Sequence, residues 1–287
     1  MASPLLAVDT PSMLYRAFHA LPKSITDEDG KPVNALLGTA NLILREVDKH
    51  SPRAVVLCFG PDAAEYRTDL LPAYHADRPE MPELLVPQWD AARGMFTEFG
   101  WTIAEDDSLE ADDALGTLAR LETETGGTTL LMTGDRDMFQ CASADVTVLY
   151  VSTGGKQGGE PIGPDEVRSR YGIGPELVPD FIALRGDPSD GIPGAKGVGE
   201  KTAADLLQRH GSLDAVLDGA LGEATPRLRG TLRDSREELL GYREVARLQD
   251  AKVKRPRDKQ TDWKGAARAA REHGMARLGK RLEEMAG

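Results

Sequence analysis

Carboxylates that follow predicted strands are the residues of this sequence best suited to chemistry. Asp135 and Asp137 follow the apolar run Thr128–Met132, and Asp9 follows Leu5–Val8. Short apolar runs of this kind predict buried strands. Two carboxylates this close in sequence raise each other's pKa unless a cation shares the site or water screens both. The pair therefore indicates either a cation site or a solvated acidic loop, and the rest of the chain has to distinguish the two.

Strands and helices alternate through the first 150 residues. Apolar runs predict further strands at Ala54–Phe59, Trp101–Ala104 and Val146–Val151, and helical periodicity predicts helices at Val33–Lys49 and Val86–Phe99. This alternation is typical of a mostly parallel α/β sheet with active-site loops at the carboxyl ends of its strands. Asp9, Asp135 and Asp137 should therefore share one rim of the sheet.

A second acidic group, Glu110, Asp112 and Asp113, opens a predicted helix and would lie on the same rim. Acids are also common in the first turn of any helix, where the helix dipole favours them. Together with Asp9, Asp135 and Asp137, however, they would carry more charge than a rim without cations tolerates. Hard cations such as Mg²⁺ prefer oxygen ligands. Two such ions about 4 Å apart can activate a water and stabilise the leaving oxygen of a phosphodiester.

Two further segments could hold a nucleic-acid backbone. The long, proline-broken connection Tyr66–Pro79 places Arg67 and Arg78 among tyrosines, which suits phosphate binding and base stacking, although a plain surface loop would look similar. The Gly-rich segment Gly186–Ala204 carries Asp187 and Asp190 and leads into a helix predicted at 200–209. No buried strand precedes it, so it differs from a nucleotide P-loop. It resembles a helix-hairpin-helix grip on a DNA backbone. The Gly-rich stretch 153–160 predicts a turn.

Composition limits the function classes. The chain has 287 residues and a net charge of -12, yet 252–287 alone carries +6, leaving -18 for the rest. This asymmetry indicates either a basic surface for a polyanion or a solvated helix of mixed charge. Cys58 and Cys141 form no metal-ligand pattern and are expected to be buried thiols in a reducing compartment. The N-terminus shows no export signal, and no apolar stretch reaches the ~18 residues of a membrane span.

Four segments in this order resemble the bacterial and phage 5′→3′ exonuclease and flap endonuclease family. They are Val8-Asp9 with Leu14–Ala20, Glu110–Asp113, Thr133–Met138, and Gly186–Asp190 with Gly194–Thr202. The likeness is to a free-standing version of the 5′-nuclease domain of bacterial DNA polymerase I, and it covers roughly residues 5 to 255. It implies an α/β, PIN-like nuclease domain with a mostly parallel sheet at 1–165 and a helical arch at about 66–87. It further implies a C-terminal helical subdomain with a helix-three-turn-helix element at 166–255, followed by a basic extension at 256–287.

The resemblance also implies roles for individual residues. Two or more Mg²⁺ or Mn²⁺ ions would be bound, the first by Asp9, Glu110, Asp112 and Asp113, the second by Asp135, Asp137, Asp187 and Asp190. Arg16 would lie near the scissile phosphate and join Asp9, Asp112, Asp113, Asp135 and Asp137 as the catalytic set. DNA would contact Arg67, Tyr74, His75, Arg78, Gly194, Lys196, Gly197, Gly199, Lys201 and Thr202. K⁺ would bind at the helix-three-turn-helix element.

Two positions depart from the family pattern. Gly60 stands where the family commonly ends its second strand with an Asp, and Asp62 lies two residues later. His75 stands where the arch commonly carries a Lys after Tyr. Weaker binding of the first metal, a stronger preference for Mn²⁺ or an altered balance of exonuclease and flap activity is expected.

The predicted function is hydrolysis of DNA phosphodiesters near 5′ ends and flaps, in replication and repair, with metal-bound hydroxide as the nucleophile and no covalent enzyme intermediate. A catalytically weakened or inactive structure-specific DNA-binding paralogue is the main alternative, and an RNA-directed PIN-type nuclease is another. The chain is expected to be a cytoplasmic, nucleoid-associated monomer that binds DNA with 5′ ends or flaps, works with replication and repair proteins and has no membrane association.

Overall fold

Six strands form one sheet at the centre of the protein, with the order β3-β2-β1-β4-β5-β6. The computed structural model describes residues 3–152, 158–222 and 225–287. The strands are β1 Leu5–Asp9, β2 Ala54–Phe59, β3 Thr102–Glu105, β4 Thr129–Thr133, β5 Val146–Tyr150 and β6 Glu160–Ile162. All neighbours pair in parallel except β5 and β6. The predicted mostly parallel sheet is confirmed, while most of the turn predicted at 153–160 lies outside the described residues.

Thirteen α-helices occur in the described ranges. They are α1 Thr10–Ala20, α2 Asn34–His50, α3 Glu65–Leu70, α4 Val86–Thr97, α5 Ala111–Glu124, α6 Pro164–Tyr171, α7 Val178–Arg185, α8 Glu200–His210, α9 Leu213–Asp218, α10 Pro226–Asp234, α11 Arg236–Ala246, α12 Trp263–Glu272 and α13 Ala276–Met285. None of them is long and apolar enough to cross a membrane.

The central strand β1 is buried along its whole length because both faces of the sheet are covered. Its side chains alternate, so Leu6 and Val8 enter one apolar cluster while Leu5 and Ala7 enter the other. β1 pairs with β2 on one side and with β4 on the other. From β1 the chain adds β2 and β3 on one side and then returns to add β4, β5 and β6 on the other side, so the order of the strands reverses between β1 and β4. Ligands of doubly wound sheets bind at such a switch point, outside the carboxyl ends of the strands.

The C-terminal extension at 256–287 is not a separate basic tail. Buried residues of α12 and α13, among them Ala266, Ala270, Leu278 and Leu282, belong to the same apolar cluster as Phe96 of α4. On the outer face, Arg268 forms an ion pair with Glu98. The mixed-charge helix considered from the sequence is therefore present, but its inner face completes the core of the nuclease domain.

Hydrogen bonds and ion pairs of Arg53 and Arg255 attach this extension to the sheet domain. The Nη1 atom of Arg53, just before β2, donates to the Pro256 carbonyl at 3.0 Å and to Asp258 Oδ1 at 2.7 Å. Its Nε donates to Glu122 Oε1 at 2.9 Å, and Arg255 Nε donates to Glu122 Oε2 at 2.9 Å. Two arginines thus neutralise one buried carboxylate between α5 and the extension.

Candidate active site

Four aspartates gather at the switch point of the sheet. Asp9 ends β1 and caps α1, and Asp112 lies in the first turn of α5. Asp135 follows β4, and Asp137 begins a 3₁₀ turn that runs to Cys141. Electrostatic interactions link the four carboxylates into one group. The strand-end acids predicted from the sequence are thus brought together by the parallel topology.

Hydrogen bonds fix the orientation of these carboxylates. Asp9 Oδ1 accepts from the backbone N–H of Ser12 at 3.0 Å, and its Oδ2 accepts from the Thr133 hydroxyl at 2.7 Å. The same Thr133 oxygen accepts from the backbone N–H of Asp135 at 2.9 Å. The Asp137 N–H in turn donates to Asp135 Oδ1 at 2.8 Å. No role was predicted for Thr133 from the sequence beyond its place in the segment Thr133–Met138, although its position at the end of β4 was a signal that could have indicated one.

The four aspartates carry more negative charge than their surroundings compensate. Burial raises the pKa of Asp9, and burial together with the neighbouring Asp9 and Asp135 raises the pKa of Asp112 well above its usual value. Burial and the charge of Asp190 raise the pKa of Asp135 to about 6. Burial and the charge of Asp135 raise the pKa of Asp137 well above its usual value. Such mutual repulsion is relieved by bound cations.

Basic side chains near the cleft pair with other acids instead. Within the described ranges, no Arg, Lys or His nitrogen lies within 4.0 Å of a carboxylate oxygen of the four aspartates. Arg16 lowers the pKa of Asp9 from a greater distance. The Arg16 Nη2 donates to the Gly134 carbonyl at 2.6 Å, and a Cβ on Gly134 would collide with the guanidinium. Gly134 therefore lets the predicted catalytic arginine approach the end of β4.

Arg67, predicted to contact DNA, lies inside the protein with only 4% of its side chain exposed. Its Nη1 lies 2.8 Å from Glu110 Oε1, its Nη2 donates to Asp113 Oδ1 at 3.0 Å, and its Nε donates to the Val245 carbonyl at 3.0 Å. The guanidinium thus joins α3, α5 and α11. In this structure Arg67 is the counter-ion of two buried acids, so we interpret it as a positioning residue and not as a phosphate contact.

Asp113 also has a role other than the predicted one. Its Oδ1 accepts from the Gln249 N–H at 2.7 Å as well as from Arg67, and its Oδ2 accepts from the Glu110 N–H at 3.1 Å. Asp113 is fully buried and does not line the cleft that Asp112, Asp135 and Asp137 line. We therefore interpret Asp113 as the capping residue of α5 that holds Arg67, and not as a direct metal ligand.

Glu110 lines the cleft but is already held by the segment that follows β2. Its Oε1 accepts from the Ala64 N–H at 2.8 Å, and its Oε2 accepts from the Tyr74 hydroxyl at 3.1 Å. Tyr74 is buried, and burial raises the pKa of its phenol. The segment predicted to form the arch at about 66–87 therefore packs directly against the acidic cleft.

His75 and Arg78 extend this contact to Asp190. The Nε2 atom of His75 lies 3.3 Å from Asp190 Oδ1, and the Nη2 atom of Arg78 lies 3.7 Å from the same oxygen. Arg78 also donates to Asp62 Oδ1 at 3.1 Å. Tyr74, His75, Arg78 and Asp190 all line the cleft. Arg67 lines the cleft too, so the structure brings all four predicted arch residues to the edge of the carboxylate group.

Gly60 is a position where a side chain does not fit. A Cβ there would stand 2.5 Å from the Leu109 carbonyl oxygen and 2.8 Å from the Ala111 nitrogen. Asp62, which could have replaced the missing carboxylate, is 73% exposed and pairs with Arg78. The close approach of β2 to the start of α5 therefore depends on glycine at position 60.

The Gly-rich segment between α7 and α8 is the second predicted DNA contact. Lys196, Gly197, Gly199 and Lys201 are exposed, whereas Gly194 and Thr202 are half-buried. Gly199 precedes the first turn of α8, where backbone N–H groups are free of helical partners. The turn also carries Asp187, whose carboxylate pairs with Arg185 at 2.8 Å. Asp187 and Asp190 raise the pKa of Asp137, so this turn borders the carboxylate group.

Metal binding requires the ligand side chains to move from the positions that they have in this structure. As they stand, no three His, Cys, Asp or Glu side chains among the described residues converge closely enough to hold a metal ion. The donor chemistry nevertheless fits a hard divalent cation, because four interacting carboxylates, one buried and three half-buried, lack close cationic partners among the described residues. Mg²⁺ also keeps several waters, so ligands need not all contact it directly.

Two family profiles match the chain. One describes the N-terminal resolvase-like domain of 5′-3′ exonucleases and matches residues 4–172, and the other describes their C-terminal SAM fold and matches residues 173–268. A 5′-3′ exonuclease of Mycobacterium tuberculosis is 38% identical over 250 residues, which are 80% of this chain and 78% of the relative. DNA polymerase I of Pseudomonas aeruginosa is 40% identical over 221 residues, which are 76% of this chain but 23% of the polymerase.

Solved structures confirm the predicted fold. The T5 5′-exonuclease with bound zinc superimposes with a TM-score of 0.69 at 16% identity, covering 99% of this chain and 100% of the other. The catalytic core of Rad2 in complex with a DNA substrate gives a TM-score of 0.62 at 13% identity, covering 98% and 92%. At these identities the likeness concerns the fold: a mixed α/β sheet domain followed by a helical subdomain.

Proposed function

The chain belongs to the 5′-3′ exonuclease family, and we propose that it hydrolyses phosphodiester bonds near the 5′ ends and flaps of DNA with bound divalent cations. One observation carries this proposal: the carboxylates of the buried Asp9 and the half-buried Asp112, Asp135 and Asp137 interact at the switch point, with no close cationic partner among the described residues. Burying uncompensated carboxylates is costly, so the protein must gain from that arrangement elsewhere. Divalent cations supply that gain, because they compensate the charge of the carboxylates and can then bind a phosphodiester.

The cations would be held by the four aspartates, with Glu110, Asp187 and Asp190 at the edge of the group. When bound, Mg²⁺ or Mn²⁺ supplies activation of water and stabilisation of the leaving oxygen. Thr133 and Ser12 orient Asp9 toward this task through the hydrogen bonds described above. Arg16 places a positive charge beside the end of β4, where it can hold a phosphate oxygen.

DNA would contact two surfaces on either side of the cleft. His75 and Arg78 face the carboxylates from the arch segment, and Arg78 is 41% exposed, so it can reach a phosphate. The exposed backbone around Gly197 and Gly199, with Lys196 and Lys201, suits a phosphate of the duplex, since the N-terminus of α8 attracts anions. Contacts to phosphates fix the position of the duplex, so specificity comes from the shape of the DNA.

Several finer assignments stay predictions. They are the choice between Mg²⁺ and Mn²⁺, K⁺ at the turn between α7 and α8, a monomeric state, replication and repair proteins as partners, and association with the nucleoid. Polymerase activity is no part of the proposal, because the chain aligns with 23% of the length of the polymerase I relative.

A structure-specific DNA-binding protein with weak or no cleavage is the second candidate. Gly60 favours it, because no carboxylate can occupy this position and Asp62 does not replace it. Such a protein would keep the surface around Gly199 and bind flaps without cutting them.

Cleavage of an end-labelled 5′-flap duplex separates the two candidates. Wild type, Asp135→Asn and Asp145→Asn are compared while Mg²⁺ or Mn²⁺ is titrated. Asp145 is an exposed aspartate outside the cleft and serves as the matched control. Metal-dependent cutting near the flap junction by wild type and the control, lost in Asp135→Asn, is expected. Tight binding without cutting under either metal would refute the nuclease function, and cutting of a matched RNA strand in preference to DNA would refute the DNA specificity.

A further inference from the structure

His75 introduces an imidazole nitrogen into a cleft whose other potential metal ligands, among the described residues, are oxygen atoms. Only 3% of its side chain is exposed, and its Nε2 lies 3.3 Å from Asp190 Oδ1. Asp135 and Asp137 line the same cleft. A buried imidazole directed at a carboxylate of this group can take part in metal binding, in addition to any contact with DNA.

A backbone conformation and two contacts fix the position of the imidazole. His75 has a left-handed backbone with φ 54°, which is uncommon for a residue other than glycine. Its N–H donates to the Asp190 carbonyl at 3.3 Å, so the backbone of the arch segment follows that of the turn between α7 and α8. The ring stacks on Tyr74 with a centroid distance of 3.8 Å. The imidazole is therefore held in place before any ion binds.

The hydrogen bond on the far side of the ring determines the tautomer. His75 Nδ1 lies 2.7 Å from the backbone carbonyl oxygen of Asp62. A carbonyl oxygen only accepts, so Nδ1 carries a proton. Nε2 lies within hydrogen-bond distance of Asp190 Oδ1, so an ion that binds both atoms takes the place of this hydrogen bond and of the proton on Nε2. Histidines that bind metals commonly donate their other N–H to a backbone carbonyl in this way.

The separation between the two donor atoms suits one shared ion. Two adjacent ligands of an octahedral ion, each about 2.1 Å from it, stand about 3 Å apart. The observed 3.3 Å between Nε2 and Oδ1 is close to that value. Imidazole nitrogen favours transition metals, whereas Mg²⁺ favours oxygen. Arg78 Nη2, at 3.7 Å from the same oxygen, would move away when the ion enters.

We propose that His75 Nε2 and Asp190 Oδ1 together bind one of the divalent ions of this cleft, with water completing its coordination, and that this pair selects Mn²⁺ over Mg²⁺. The inference rests on the proposed metal-dependent function. Because His75 lies on the arch segment and Asp190 on the turn after α7, the bound ion also joins these two parts of the molecule.

The test measures coordination directly, without DNA. Mn²⁺ is added to wild type, His75→Gln and His273→Gln, and the electron spin-echo modulation of bound Mn²⁺ reports a coordinated imidazole nitrogen. His273 follows α12, outside the cleft, and is the matched control. Nitrogen modulation is expected in wild type and His273→Gln and should be lost in His75→Gln. Calorimetry should show that His75→Gln binds Mn²⁺ about 10-fold more weakly than wild type, which is the effect typical of removing a residue that supports a metal site. Its affinity for Mg²⁺ should stay within about 2-fold of the wild-type value.

Bound Mn²⁺ without nitrogen modulation in wild type would contradict the role of His75, and so would modulation that persists in His75→Gln. Failure of wild type to bind Mn²⁺ would contradict it as well. Cleavage of the 5′-flap duplex is measured in parallel, in Mg²⁺ and in Mn²⁺. Cleavage together with a negative spin-echo result refutes only the role of His75, whereas absence of cleavage with either cation refutes the proposed nuclease function.

Discussion

Arg67 should be worth more to the stability of this protein than any surface arginine of the arch segment. Substitution Arg67→Met removes three polar contacts and leaves Glu110 and Asp113 buried without their cation. Breaking a buried ion pair from one side costs about 3–5 kcal/mol. For a chain of this size, about 2 °C in Tm corresponds to each kcal/mol, so a fall of about 6–10 °C is expected.

The matched control is Arg78→Met. The Arg78 side chain is 41% exposed and pairs with the exposed Asp62, so its removal should cost no more than about 1 kcal/mol. Thermal unfolding is followed in chelator and again with Mg²⁺ in excess. Divalent ions should stabilise Arg67→Met more than wild type, because the freed carboxylates gain a new counter-ion. A loss below about 1 kcal/mol for Arg67→Met, or equal losses for both variants, would refute this account of Arg67.

Three further changes test other parts of the structure. Leu282→Ala should lower the free energy of unfolding in urea by about 2–5 kcal/mol, because Leu282 is fully buried in the core. The control Met285→Ala, at a 40% exposed position, should lower it by less than about 0.5 kcal/mol. Equal effects of the two substitutions would mean that α13 is not part of the core. Gly60→Asp should lose about 1–3 kcal/mol and gain no Mg²⁺ affinity in calorimetry, since its Cβ would collide with the Leu109 carbonyl; a tighter site would contradict this. The pKa of Asp106 is lowered to about 2 because its carboxylate accepts hydrogen bonds from the Lys252 and Ser108 N–H groups. The stability that this carboxylate contributes is therefore complete above its unfolded pKa of 3.8 and is lost as the pH falls toward 2. Asp106→Asn should therefore be less stable than wild type at pH 5 by about 1.5–3 kcal/mol, and the difference should shrink at pH 2; a constant difference would contradict the linkage.

The sheet and its acidic rim could be predicted because they depend on local signals. Fully apolar strands such as Leu5–Val8 and Ala54–Phe59 are typical of a sheet covered on both faces, and the structure places β1 and β2 there. Parallel strands then bring their carboxyl ends to one edge, so Asp9 and Asp135 come together although they are far apart in sequence. Topology alone was sufficient for this part of the site.

The pairing of the arginines could not be predicted, because it depends on distant backbone. Arg67 is buried since α11 supplies a carbonyl oxygen and α5 supplies two acids, and neither contact has a signal near residue 67. The packing of α12 and α13 was missed for a similar reason. The buried face of α12 is mostly alanine, and that of α13 consists of two leucines and a glycine. Such narrow faces resemble solvated helices in sequence until a partner surface such as that of α4 is known.

The most direct test of the central claim is the single-turnover rate at which Asp135→Asn cuts a 5′-flap duplex in saturating Mg²⁺, set beside its affinity for the same duplex. If the four aspartates at the end of β1, at the end of β4 and at the start of α5 hold the catalytic ions, the cleavage rate should fall at least about 100-fold, which is nearly 3 kcal/mol in activation free energy. The DNA affinity of Asp135→Asn should stay within a few-fold of the affinities of wild type and Asp145→Asn. A rate within a few-fold of wild type would contradict the claim and would place catalysis elsewhere on the protein.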